Sequence, residues 1–303
     1  MASRAQRWKE LSIQAALFVC AAVSILTTAG IVVVLAVESW QVFTHEDASV
    51  GLFSFLFGTT WTPMFEPRSF GVLPLILGTL QVGVGAVAIA LPIGLATSLF
   101  LSEYAPHSVR QVLKPILEIL AGVPTIVYGF FALTFITPYV LKPLFGEDNV
   151  GVFNVASATL VVAIMIIPTI SSLCDDAFRA VPRTLREAAF ALSATRLEVS
   201  TRVVLPAALS GVVASVLLAL ARAIGETMAV AIAAGATPSM SCNPFESTQT
   251  MTAYIVQVVM GEAAVGSVEY QSLFAVGAVL FVITLAINVV AQRVLARFRE
   301  AYE

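Results

Sequence analysis

An arginine and a glutamate stand four residues apart, Arg222 and Glu226, inside the otherwise apolar stretch Val203 to Gly235. If that stretch is one helix, the spacing puts both side chains on one face, where an ion pair can form. A helix of some thirty residues is ~45 Å long, so Arg222 lies about halfway along it, near the bilayer midplane and too deep to snorkel out. A charge there costs at least ~2.5–3.5 kcal/mol on insertion scales, and such residues face a partner or a cavity. Two uses are open to the pair. It neutralises itself and holds helices together, or it lines a path in which the guanidinium, a planar fork of donors, meets an oxyanion. The second use is the one expected here, with Glu226 releasing Arg222 to the anion and recapturing it afterwards. Thr227 adds a hydroxyl beside the pair. Gln81 and Thr125 are lesser candidates, of a kind that also serves plain interhelical hydrogen bonding.

Other chemistry has little material. The two histidines, His45 and His107, fall in short loops, and no His/Cys/Asp/Glu spacing suits a metal. The three cysteines, Cys20, Cys174 and Cys242, lie far apart, so no disulfide framework is implied. The three lysines follow Trp8, Leu113 and Leu141. None sits in the GK[ST] setting that cradles nucleotide phosphates, so no nucleotide or other cofactor is expected on this chain.

The elements that must position Arg222 are membrane helices. Hydrophobic residues make up 58% of the 303 positions and charged residues 12%, with a mean hydropathy of +0.92; a soluble domain carries about 25% charge. A hydrocarbon core about 30 Å thick needs roughly 20 apolar residues per helix, and six regions supply them: Leu11 to Val37, Ser69 to Ser102, Ile119 to Leu141, Asn149 to Cys174, Val203 to Gly235 and Tyr270 to Gln292. The first is too long for a signal-peptide core and reads as a retained anchor. With both termini cytoplasmic, thirteen of the sixteen basic residues fall inside, Arg68 and Lys142 outside, and Arg222 within the membrane, as the positive-inside rule requires. The outer loops are acidic, with Glu38, Glu46, Asp47, Glu66, Glu147, Asp148, Glu246, Glu262 and Glu269. A net charge of −3 with dispersed basic residues excludes a nucleic-acid partner.

Gly83, Gly85 and Pro92 in the second region, Gly122 and Pro124 in the third and Pro168 in the fourth are expected to perturb their helices. The carbonyls they free need protein or a water-lined cavity, so these helices are expected to surround a path. The outer loop Val42 to Phe70 reads as an interfacial cap with a short helix, its Trp40, Trp61, Phe65 and Phe70 at headgroup depth. A second short amphipathic candidate spans Thr248 to Glu262 on the same side.

The longest cytoplasmic loop, Asp175 to Arg202, carries five arginines and reads as two short helices closed by Pro206. Its first helix presents Ala188, Ala189, Phe190 and Leu192 on one side, a surface that can lie in a groove on a soluble partner. Glu187-Ala188-Ala189, Ser193-Ala194 and Val204-Leu205-Pro206 resemble the EAA signature of ABC importer permeases, whose loop is the coupling helix that docks on an ATPase subunit. The family pattern usually has glycine where Ser193 stands, at a turn whose left-handed backbone costs serine what glycine avoids.

Further segments resemble one branch of that family, the phosphate-specific importer permeases of the PstC type: Gly78 to Pro106, Leu120 to Leu133, Asp175 to Ala189 and Ala221 to Gly235, the last with the wording GETMA. FLFGTTWTP, Phe55 to Pro63, fits as well, so the resemblance covers roughly residues 52 to 290. It implies an all-α membrane protein with the type I importer permease fold: an anchor and external loop over 1–70, a permease domain over 71–295 with its coupling loop at 175–206, and a tail over 296–303. It implies a bacterial inner-membrane location, phosphate as cargo and no enzymatic activity in the chain. It assigns Arg222, Glu226 and Thr227 to the pathway and Glu187, Ala188, Ala189, Ser193 and Ala194 to coupling. The implied partners are a second permease (PstA-type), two copies of an ATPase (PstB-type) that bind ATP and Mg, and an extracytoplasmic phosphate-binding protein (PstS-type). A permease for sulfate or molybdate and a gradient-driven secondary transporter are the alternatives.

Overall fold

The computed structural model describes residues 4–44, 51–261, 263–264 and 266–298. His45, Glu46, Asp47, Glu262 and the tail beyond residue 298 lie outside them. The chain forms α1 (Arg4–Thr44), α2 (Leu52–Phe57), a hairpin of β1 (Trp61–Thr62) and β2 (Ser69–Phe70), and α3 (Leu73–Leu99), which runs on as a π-helical turn to Tyr104. Then come α4 (His107–Ala121), α5 (Thr125–Phe131), a π-helical stretch Ala132–Leu141, α6 (Lys142–Phe145), α7 (Val155–Ala180) and α8 (Arg183–Ala191). The last part comprises α9 (Arg196–Glu198), α10 (Leu205–Ala207), α11 (Leu209–Ile224), α12 (Met228–Ala233), α13 (Met251–Met260) and α14 (Val268–Phe298).

Five helical segments are long and apolar enough to cross a membrane: Glu10–Thr44, Leu73–Tyr104, Thr125–Phe145, Val155–Ala180 and Val268–Val294. One more crossing, the fifth in chain order, runs in pieces, with Arg196–Ala207 and Leu209–Ile224 meeting at 72°. α7 is the central post: two thirds of its apolar window is buried, against none of that of α1, and Val161, Val162, Ile166, Ile170 and Phe178 lie in the main core.

Three of the sequence boundaries need correction. The third crossing starts at Thr125 rather than Ile119, because Gly122 ends α4 and Pro124 lacks an N–H and bars the residue before it from helical backbone. The fourth helix runs on to Ala180, taking Asp175, Asp176 and Arg179 out of the expected loop. Their charges are tolerated there because Arg110 and Lys114 of α4 meet the two aspartates. The fifth region is not one helix of some thirty residues: α11 stops at Ile224 and α12 begins at Met228.

The glycines of α3 do not break it. A Cβ at Gly83 would come within 2.9 Å of Ile224 Cγ1, so its role is close packing of α3 against the end of α11 that carries Arg222. Outside the main core a second cluster joins α1, the hairpin, α13 and α14. Here the expected headgroup aromatics divide. Trp40 and Phe65 are exposed, whereas Trp61 and Phe70 are buried, the Trp61 indole standing edge-on to Tyr254 of α13 at 4.9 Å. A buried partner from a distant helix turns an interfacial tryptophan into a core residue.

Candidate functional site

Gly225 caps α11, leaving Arg222 in its final turn with an exposed side chain. One guanidinium nitrogen donates to the Thr169 hydroxyl at 3.0 Å and another to the Ala121 carbonyl at 3.4 Å. Thr169 follows Pro168 inside α7, and Ala121 is the last residue of α4 before the Gly122–Pro124 break. Arg222 therefore ties the end of α11 to the end of α4 and to the residue after Pro168 in the unbroken α7. The break beside it is braced by the Tyr128 hydroxyl, which donates to the Leu120 carbonyl at 2.8 Å.

Glu226 does not pair with Arg222; the described ion pairs contain no such contact. With α11 ending at Ile224, the two residues no longer share a helix face, which was the premise of the pair. Glu226 is instead buried, its carboxylate accepting from the Ala229 N–H at 3.2 Å in the first turn of α12. Its backbone carbonyl accepts from the Thr252 hydroxyl at 2.8 Å. It restarts the helix after the break, which a carboxylate at a helix start favours. Thr227 lies in the break itself, half-buried, donating to the Gly225 carbonyl at 3.1 Å. Gln81 reaches the outer segment, donating to the Ser241 carbonyl at 2.9 Å, while Thr125 opens α5. Thr169 and the Ala121 carbonyl had no sequence signal: one is a plain threonine in an apolar run, the other a backbone atom.

Toward the acidic side, a cavity of about 840 Å³ is lined by Asp148, Asn149, Phe153, Gly235, Asn243 and Glu246. Hydrogen bonds from Ser241 and Asn243 hold the Glu246 carboxyl below its ordinary range.

At the opposite end, α8 carries Glu187 and Ala188 on its exposed side and Ala189 half-buried, with Leu185, Ala189 and Ala194 packed on the main core. Phe190, Leu192 and Leu197 are exposed, leaving an apolar tip. Arg186 turns inward rather than outward, donating to Glu103 at 3.1 Å and to the carbonyls of Val181 at 2.6 Å and Phe178 at 2.7 Å. The second short helix opens with Thr195 and Glu198 in a reciprocal cap.

Ser193 takes φ 63°. The Ala194 N–H reaches the Ala189 carbonyl and the Ser193 N–H the Phe190 carbonyl, the paired closure of a helix that ends in a left-handed residue. Ser193→Gly should relieve about 1 kcal/mol of backbone strain, slowing hydrogen exchange of the Ala194 amide about fivefold. An unchanged rate would show that the turn is not strained.

Broken crossings around one exposed arginine, and a helical hairpin at the far end, define an importer-permease architecture. The fold is similar to the bacterial ABC transporter that imports the acidic polysaccharide alginate, with a TM-score of 0.66 and 16% identity over 97% of this chain and 99% of that one. It is also similar to the inward-facing MetNI methionine ABC transporter, with a TM-score of 0.60 and 18% identity over 78% and 100%. The family model of the binding-protein-dependent transport system inner membrane component matches residues 90–300, and the chain belongs to that family. Among its relatives, the probable ABC transporter permease protein YqgH of Bacillus subtilis is 36% identical, over 88% of this chain and 84% of its own length. The phosphate transport system permease protein PstC of Mesorhizobium japonicum is 35% identical over the same shares. PstC of Haemophilus influenzae is 33% identical over 97% and 96%. The chain is thus a multi-pass ABC importer permease, a transport component rather than an enzyme.

Proposed function

We propose that this chain is the membrane permease of an ATP-driven phosphate importer in the bacterial inner membrane and forms half of its translocation pathway. The observation that carries the reading is the exposed guanidinium of Arg222 at a helix break within an apolar bundle. Among the described residues its hydrogen bonds go to Thr169 and the Ala121 carbonyl, so part of its five-donor fork remains for an oxyanion. The relatives named for phosphate transport supply the choice of anion. Glu226 contributes by fixing the break that presents Arg222, and Thr227 by lining it.

A second, PstA-type permease would supply the facing half of the path. The exposed face of α8, with Glu187 and Ala188 and the turn at Ser193 and Ala194, would dock on a PstB-type ATPase. Two such ATPase copies would bind ATP and Mg and draw the two coupling helices together. A PstS-type binding protein would deliver phosphate from the acidic side. Both termini would lie in the cytoplasm, a placement that the distribution of basic residues supports.

The test is reconstitution of the permease pair with its ATPase and binding protein in proteoliposomes. Phosphate uptake should require ATP and stop when the ATPase is inactivated. Uptake that continues under an ion gradient with a dead ATPase would establish a secondary transporter instead.

A further inference from the structure

α4 has no fully buried residue, so polar contacts along its first half and at its end carry much of its attachment to the bundle. Near its start, Arg110 pairs with Asp175 at 2.5 Å, and Lys114, halfway along, lies 3.6 Å from Asp175 and 3.0 Å from Asp176. Asp175 is 1% exposed, which makes this grip hard for water to exchange. At its end, the Ala121 carbonyl accepts from Arg222 and the Leu120 carbonyl from Tyr128.

The part of α7 that grips α4 is also the part that α8 holds. Arg186 of α8 bonds the Phe178 and Val181 carbonyls, three and six residues beyond Asp175, and reaches across to Glu103 at the end of the second crossing. A displacement of α8 therefore moves the end of α7 with it. Asp175 passes that movement to Arg110 and Lys114, and the rest of α4 carries it from Arg110 about 16 Å to Ala121 at the Arg222 site.

We propose that α4 is the connecting rod between the coupling helix and Arg222, with Asp175 the positioning residue at its cytoplasmic end. When the rod shifts, the Ala121 carbonyl leaves the guanidinium, freeing a donor for the anion. Rigid-body movement of an element between two packed arrangements is a known mode of such transmission. The inference rests on the reading that α8 docks an ATPase and that Arg222 meets the anion.

The experiment measures phosphate transported per ATP hydrolysed by the reconstituted complex, a ratio that a merely structural defect would not change. Asp175→Asn should lower it by about tenfold with the ATPase still bound, and Asp175→Glu should recover part of the loss. The exposed pair Ile116→Gly/Glu118→Gly, which softens α4 between Lys114 and Ala121, should lower it similarly, whereas Ile116→Ala/Glu118→Ala should leave it within about twofold. If Asp175→Asn fails to assemble, the glycine and alanine pairs decide the matter between them. Wild-type ratios in both Asp175→Asn and the glycine pair, alongside an inactive Arg222→Gln, would overturn the rod and leave the function standing. Normal uptake by Arg222→Gln would remove the underlying reading and the rod together.

Discussion

Replacing Arg222 by Gln should lower phosphate uptake by about 100-fold, the loss expected when ~2–3 kcal/mol of charge-assisted hydrogen bonding to the anion disappears. Assembly should survive. The side chain is exposed at the end of α11 and packs in neither core cluster, and glutamine can still donate to Thr169 or to the Ala121 carbonyl. Arg222→Lys keeps the charge but loses the fork, so it should retain about a tenth of the uptake. Initial uptake rates, normalised to complex recovered from the membrane, separate transport from folding. Near-normal rates for Arg222→Gln would take the residue out of the pathway.

The second large effect is expected at Ala188. It is exposed on α8 while its neighbour Ala189 packs on the main core. A bulky side chain at position 188 therefore strikes a docking partner and not the permease itself. Ala188→Trp should weaken ATPase association by roughly 30- to 150-fold, about 2–3 kcal/mol of misfit at a close contact. Copurification of the ATPase would fail while the melting temperature of the permease stays unchanged. Full copurification would show that α8 does not dock through this face. The same substitution at Ala189 would not discriminate, because it would disrupt the bundle and the interface at once.

What the sequence revealed, and what it hid, follows the range of the interactions involved. The first, second, fourth and sixth crossings were legible because each is a continuous apolar run longer than the bilayer requires. The turn at Ser193 came from the resemblance to the EAA signature, and its closure is local, within six residues. The break after Ile224 was not legible. Gly83 and Gly85 leave α3 intact, whereas Gly225 ends α11. The difference is supplied by Glu226 capping α12 and by Thr252 bonding the Glu226 carbonyl from 26 residues away. Asp175 marked a loop in the sequence because its counter-charges sit 65 and 61 residues earlier, on α4. Arg222 was singled out by its type, its expected depth and the family resemblance, and its partners Thr169 and Ala121 required the fold.

The most direct test of the account is anion competition for uptake in the complete reconstituted importer. Radiolabelled phosphate should accumulate only with ATP and binding protein present, and a large excess of sulfate or molybdate should leave its rate unchanged. Equal or stronger inhibition by either oxyanion would contradict the assignment of phosphate as the cargo of this permease.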